Sequence, residues 1–372
     1  MGITLFIAIV VLLTLGFPVA FALAISAALA VFVGGKYPQL IVFKEMFTGI
    51  DSFPLMAVPF FILAAELMNT SGLSERIYNL ALAVVGRLPG SLAHTNVLGS
   101  MIFAGMSGSS AADAAGIGTM EIKAMNDQGY DPAFSAAVTA ASSTIGPIIP
   151  PSIPMVVYGS IAGVSVGKLF MGGLVPGVLM GIVMMVICYF YAIKNGFRET
   201  QRVTVKQFFR TVLDSIWALL GPIILLGGIY SGLFTPTEAA AVAAVYALLV
   251  GILVYKELDL KTIRQILSKT VTGSSQVLLI IGAANVFGWV IANEGIPTLL
   301  TRSFLAFTDN KYLALLLINI LFLMLGCFME INAIMLLFLP IILPVVKTFG
   351  VDLVHFGVVT VLNMMIGTLT PP

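Results

Sequence analysis

Ile145-Gly146-Pro147-Ile148-Ile149-Pro150-Pro151 returns as Ile366-Gly367-Thr368-Leu369-Thr370-Pro371-Pro372, an offset of 221 residues. Proline lacks an N–H and clashes with the turn before it, so each stretch breaks the helix it interrupts. The surrounding runs, 133–162 and 354–369, are apolar enough to belong to a membrane. Hydrocarbon forbids unpaired backbone groups, so such a break survives only where a cavity, an ion or other protein satisfies the freed carbonyls. The same offset pairs Gly105 with Gly326 and Asp131 with Asp352 without gaps, and Gly16-Phe17-Pro18 loosely matches the later 232–236. One Gly/Pro match is common in apolar sequence. Three in one frame, each at an interrupted segment, mark an internal repeat.

Composition sets the solvent. Of 372 residues, 59% are apolar and 9% charged, with mean hydropathy +1.08, against about 25% charged in a soluble domain. The fold class is therefore all-α and polytopic, in a lipid bilayer. A net charge of +1 leaves no footprint for nucleic acid. Cys188 and Cys327 lie in apolar runs, and His94 and His355 are far apart at segment edges, which disfavours disulfides, zinc and haem. No GxxxxGK[ST] occurs, so the chain shows no nucleotide site. The opening run, 2–33, is too long for one span and reads as two joined at Leu15-Gly16-Phe17-Pro18; without a preceding Lys or Arg it does not read as a signal peptide. Further spans are expected near 53–68, 170–193, 216–233, 239–255 and 271–292.

Two basic stretches, 194–210 and 256–269, flank a pair of spans joined at Phe234-Thr235-Pro236-Thr237-Glu238, so both face one side, the cytoplasm by the positive-inside rule. Threading from them puts 12 of the 18 Lys and Arg inside. The first repeat then opens from the cytoplasm and the second from the periplasm. Inverted repeats of this kind build transporters with midplane sites on broken helices. The halves are expected at 1–193 and 214–372, with a basic linker, 194–213, between them. Two interrupted apolar regions, 91–128 and 311–348, read as re-entrant helical hairpins.

The chemistry gathers at those interruptions. Gly105-Met106-Ser107-Gly108-Ser109-Ser110-Ala111-Ala112-Asp113 offers small residues for a tight tip, and its hydroxyls and N–H groups favour an anion. A carboxylate at depth costs about 2.5–3.5 kcal/mol, which favours a site or gating role for Asp113. Ser142-Ser143-Thr144 precedes the first break, and with the tip makes a first candidate cation site. The repeat counterpart joins 326–332 to 367–371 as a second. Glu330 reads as a coupling or tip residue, and Asn363 as a residue facing substrate. Glu66 is expected to pair or snorkel, and Glu238 to cap a helix. A rival of another class is an intramembrane serine hydrolase using Ser107 or Ser109 with Asp113, but no general base is well placed, His94 lying 13 residues before Ser107. A channel would need the breaks in a continuous filter, which inverted repeats suit less than alternating access.

At these motifs, together with Asp51-Ser52-Phe53-Pro54-Leu55-Met56-Ala57-Val58-Pro59-Phe60 and Phe234-Thr235-Pro236-Thr237-Glu238-Ala239, the chain resembles the large membrane subunit of tripartite ATP-independent periplasmic (TRAP) transporters. The resemblance implies an elevator-type fold like that of the ion transporter superfamily, in the bacterial inner membrane. It implies sodium as coupling ion, a small membrane subunit, and a periplasmic substrate-binding protein that delivers an organic acid. Carried over by motif, Ser107, Gly108, Ser110, Ser143 and Gly146 line a first sodium site, and Gly326, Thr368 and Thr370 a second. Ser107, Ser109, Asp113, Ser142, Glu330 and Asn363 are then the expected substrate-facing set, with Glu330 standing where many members have aspartate. Residues 68–77 and 118–125 look closest to sialic-acid members; C4-dicarboxylate and other sugar-acid members are the alternative. The first repeat continues about 40 residues past its Pro-Pro, so a further C-terminal span is expected after Pro372.

Overall fold

A computed structural model describes residues 1–197 and 204–370. Arg198, Glu199 and Arg202 of the basic linker, and the Pro371-Pro372 end of the second motif, lie outside the described residues. Among those described, every regular element is helical. Among the described residues, five helices are long and apolar enough to cross a membrane: Val166–Asn195, Val205–Tyr230, Pro236–Val254, Leu260–Asn293 and Ile331–Thr348, or six if Leu40–Ile50 and Pro54–Thr70 count as one span.

The chain packs into two compact units that interleave along the sequence. One comprises Met1–Met56, Val156–Ser165 and Thr272–Pro372; the other comprises Ala57–Met155 and Val166–Val271. In the first unit, Gly2–Thr14 and Val19–Gly34 pack on each other. The chain reverses between them at Gly16, whose φ of 79° suits a residue without a Cβ. Lys311–Gly326 and Ile331–Thr348 pack together about a short turn, and Leu353–Gly367 lies against both.

In the second unit, Ser91–Ser107 runs to a tight turn at Gly108, and the chain returns as a helix from Ser110 to Asp127. That return contains a π-helical turn, Ala114–Gly118. Pro132–Ser143 packs on both arms. An apolar core of Leu92, Ala93, Val97, Met125, Val138, Ile145, Ile149 and the free Cys188 holds them. Stacked rings extend it, Tyr130 on Phe197 at 4.1 Å and Phe134 on Tyr191 at 3.6 Å between centroids. His94 stands in the first turn of Ser91–Ser107, at the segment's edge as expected, but is buried rather than interfacial.

The caps match their sequence signals. Thr235 and Glu238 form a reciprocal capping box: Thr235 Oγ1 accepts from the Glu238 N–H and Glu238 Oε2 from the Thr235 N–H at 2.8 Å. Glu66 pairs with Lys269 at 3.6 Å. Several elements carried no sequence expectation, Leu40–Ile50 and Leu73–Val85 among them. Ile296–Phe307 is a separate helix opened by Pro297, and the basic stretch from Leu260 is continuous with the following span in one helix of 34 residues.

Candidate functional site

The first-repeat site is built where the hairpin tip meets the broken helix, all within one compact unit. Pro132–Ser143 starts at Asp131, whose carboxylate accepts from the Phe134 N–H at 3.1 Å. Its last turn ends at Ser143, where Gly146 and Pro147 follow. Ser152 clamps the non-helical break: its hydroxyl donates to the Pro147 carbonyl and accepts from the Met155 N–H at 3.2 Å. The tip approaches closely because Gly108 lacks a side chain. A Cβ there would lie 2.6 Å from the Pro151 carbonyl oxygen. The Gly108 φ of 62° is left-handed, and its carbonyl accepts from the Ile153 N–H at 3.3 Å. A Cβ on Gly146 would come within 3.3 Å of the Ser109 carbonyl.

Ser107, Gly108, Ser143 and Gly146, named from sequence as one sodium set, therefore come together, with Ser110 opening the returning arm. Their oxygens suit a cation. The Ser143 hydroxyl spends its hydrogen on the Ala140 carbonyl at 2.9 Å, and Thr144 does the same to Ala141 at 2.6 Å, leaving lone pairs free. Ser107 Oγ is buried with no hydrogen-bond partner. Such a hydroxyl carries an uncompensated desolvation cost of about 1–3 kcal/mol, which a bound cation would offset.

The second repeat repeats this design in the other unit. A Cβ on Gly326 would lie 3.0 Å from the Gly367 Cα, so the hairpin and the broken helix touch backbone to backbone. Thr368 donates to the Met365 carbonyl at 2.7 Å. Thr370 donates to that of Gly367 at 2.6 Å, and its hydroxyl lies 2.8 Å from the Cys327 sulfur. Asp352 caps Leu353–Gly367 as Asp131 caps its counterpart, accepting from His355 N–H at 2.8 Å. Ser109 and Glu330, also 221 apart, each cap the returning arm of their hairpin, accepting from Ala112 and Ala333 N–H respectively.

Two residues expected to face substrate are engaged elsewhere. Ser142 is buried and bonds to Asn96 Oδ1 at 2.7 Å and to the Ser100 hydroxyl at 3.0 Å, while Asn96 donates to Thr139 at 2.6 Å. Asn363, at the equivalent position, donates to the Asn319 carbonyl at 2.7 Å. Both tie a broken helix to the first arm of its hairpin. Asp113 is 1% exposed, three residues beyond Ser110, and neither carboxylate oxygen has a hydrogen-bond partner.

Several residues escaped the sequence reading. Asn96 and Ser100, four apart on an apolar helix, are the signal that would have found the Ser142 network. Ser152 closes the break, and Glu121 is buried in the returning arm. The unit formed by 1–56, 156–165 and 272–372 also holds a cavity of about 480 Å³ lined by Glu45, Ser160, Asn285, Trp289, Pro340 and Lys347.

The family model for the DctM component of tripartite ATP-independent periplasmic transporters matches residues 6–372. A sialic acid TRAP transporter large permease protein of Vibrio cholerae is 45% identical over 97% of this chain and 84% of its own. A sialic acid TRAP transporter permease protein of Haemophilus influenzae is 44% identical over 88% of this chain and 53% of its own, so the chain spans about half of that longer relative. A C4-dicarboxylate TRAP transporter large permease protein of Pseudomonas aeruginosa is 38% identical over 94% of this chain and 82% of its own. In fold, the chain resembles the crystal structure of the Alcanivorax borkumensis YdaH transporter, with a TM-score of 0.55 at 15% identity, covering 88% of this chain and 76% of that one.

Proposed function

Because the chain belongs to the DctM component family of tripartite ATP-independent periplasmic transporters, a family of inner-membrane permeases rather than enzymes, we propose that it imports an organic acid by sodium coupling. The substrate is a sialic acid, as the names of two similar relatives suggest; a C4-dicarboxylate is the second reading, carried by the Pseudomonas relative. A periplasmic binding protein delivers the acid and a small membrane subunit completes the transporter. The two broken-helix sites, Ser107, Gly108, Ser110, Ser143 and Gly146 in one and Gly326, Thr368 and Thr370 in the other, hold the ions. The domain bearing the hairpins then carries the load across the membrane as an elevator.

The observation that carries the sodium reading is the unpartnered buried hydroxyl of Ser107, at a tip docked on the break where Ser143 and Thr144 have already spent their hydrogens. A cation is held by lone pairs: Ser143 and Thr144 have theirs free, and the Ser107 hydroxyl can rotate its hydrogen away to present its own. Proteoliposomes holding the chain with its small subunit and binding protein should take up sialic acid only with an inward sodium gradient. Ser107→Ala should leave sodium-free stability unchanged or slightly raised, since it removes an unsatisfied group. Uptake by that variant should need much higher sodium. Equal uptake without sodium, or a Ser107→Ala protein with normal sodium dependence, would sink the reading.

A further inference from the structure

Glu121 lies in the returning arm of the first hairpin, 1% exposed, with both carboxylate oxygens lacking a hydrogen-bond partner. Asp113, in the same arm, is in the same condition, and the two are near enough for their charges to interact. Eight residues of ordinary α-helix would leave them about 80° apart around the axis. The π-helical turn Ala114–Gly118 winds more slowly, at roughly 82° per residue, which removes about 90° over its five residues and brings both carboxylates to one face. That face packs on Ser91–Ser107, where Gly99 makes the room: a Cβ there would stand 2.7 Å from Glu121 Oε1.

Among the described residues, the elements packed on this arm offer no free countercharge. Leu73–Val85 contributes Tyr78, a neutral phenol within electrostatic reach of Glu121, while its Arg76 is already paired with Glu257 at 3.2 Å. Ser91–Ser107 contributes Ser100, hydrogen-bonded to Ser142, and His94, five residues from Gly99 and therefore about 140° around the helix. Pro132–Ser143 contributes Thr139, packed on Gly118, and carries no titratable group. In Ala57–Thr70, Asn69 fills the notch at Gly116, and Glu66 pairs with Lys269. On the arm itself, Lys123 and Asp127 are exposed.

Two bare carboxylate ions in a dry interior without a cation would cost far more than a packed helix returns. We propose that Glu121 is a proton-binding site: one carboxylate oxygen takes a proton from water, and the neutral acid packs into the Gly99 notch beside Asp113. The proton is the one cation that needs no coordination shell, and the close fit at Gly99 leaves space for nothing larger. Deprotonation would leave a bare carboxylate beside Asp113, one turn from the tip through the bond from Asp113 N–H to the Ser109 carbonyl at 3.1 Å. The packed arm is therefore the proton-loaded form, and proton release loosens it. The inference goes beyond sodium coupling and stands independently of it.

Infrared spectroscopy of the intact transporter in nanodiscs tests this without substrate or gradient, so its failure is distinct from failure of the sodium reading. At neutral pH, where an ordinary glutamate (~4.3) is ionised, a protonated-carboxyl stretch that shifts in heavy water should be present. It should be lost in Glu121→Gln, kept in Asp113→Asn, and unmoved by saturating sodium. Should Glu121→Gln not fold, carboxyl-13C glutamate in the unaltered protein must shift the band. No such band, a band surviving Glu121→Gln, a band lost in Asp113→Asn, a band untouched by the label, or one abolished by sodium would each overturn the proposal.

Discussion

Gly108→Ala isolates the docking of the first tip. At a φ of 62° an alanine pays about 1–2 kcal/mol for the left-handed backbone. Its Cβ would also stand 2.6 Å from the Pro151 oxygen and 3.1 Å from the Pro151 carbon, backbone atoms that cannot rotate aside. Relieving that overlap moves the tip off the break and stretches the 3.3 Å bond from Ile153 N–H to the Gly108 carbonyl. The lost bond is worth about 1 kcal/mol, and overpacking adds about 1–3 kcal/mol. The docked tip should therefore be disfavoured by about 3–6 kcal/mol. At about 1.4 kcal/mol per tenfold, a sodium site that exists only when the tip is docked should weaken at least a hundredfold. Gly129→Ala is the control: its φ of 83° carries the same backbone penalty, with nothing within 4 Å of the new methyl. The assay is the sodium dependence of thermal unfolding and of uptake for both variants. If Gly108→Ala shows the half-saturating sodium of Gly129→Ala, the tip and break do not form a common site.

Two further outcomes follow from the hydrogen-bond accounting. Asn96→Ala removes one buried hydrogen bond from each of Thr139 and Ser142, which keep Ser135 and Ser100 as partners, and should lower stability by about 1–3 kcal/mol, read by thermal unfolding with sodium dependence retained. A wild-type melting temperature would refute the network's role. Asp259, outside the spans, accepts from the Thr262 N–H at 2.7 Å, and hydrogen bonds from Thr262 hold its carboxyl below the ordinary carboxylate range. A folded value below the unfolded one means the contribution is full above about pH 4 and is lost as pH falls through the folded value. Amide protection at Thr262 and Ile263, relative to the intrinsic rate at each pH, should fall on acidification below that point and should not change with pH in Asp259→Asn. Acid-insensitive protection in the unaltered protein would refute the cap.

Much of the architecture was legible because the deciding residues are backbone-breaking. Pro147, Pro150 and Pro151 announce a non-helical stretch wherever they stand, and Gly16 and Gly108 announce turns. The shared offset of Asp131 and Asp352 marked equivalent positions, and both are helix caps. Side-chain partners were less legible. Ser142 and Asn363 carry hydroxyl and amide groups that serve a substrate or a neighbouring helix equally well. Only the fold shows Asn96, Ser100 and Asn319 opposite them. Glu121 gave no signal because a lone glutamate among Lys123, Asn126 and Asp127 reads as part of a solvated end. A change from 3.6-residue winding at Ala114 turns it inward, and no periodicity count anticipates that.

The 34-residue helix Leu260–Asn293 is about 51 Å long at 1.5 Å per residue, against a hydrocarbon layer of about 30 Å. Something near two fifths of it must stand clear of the lipid tails or be taken up by tilt. Its apolar stretch begins at Val271, so Lys261, Arg264 and Lys269 fall on the projecting end. A rod with cationic rungs only at one end is a plumb line. Anionic headgroups grip it at a set depth, and a thinner or thicker bilayer would change its lean rather than its vertical level.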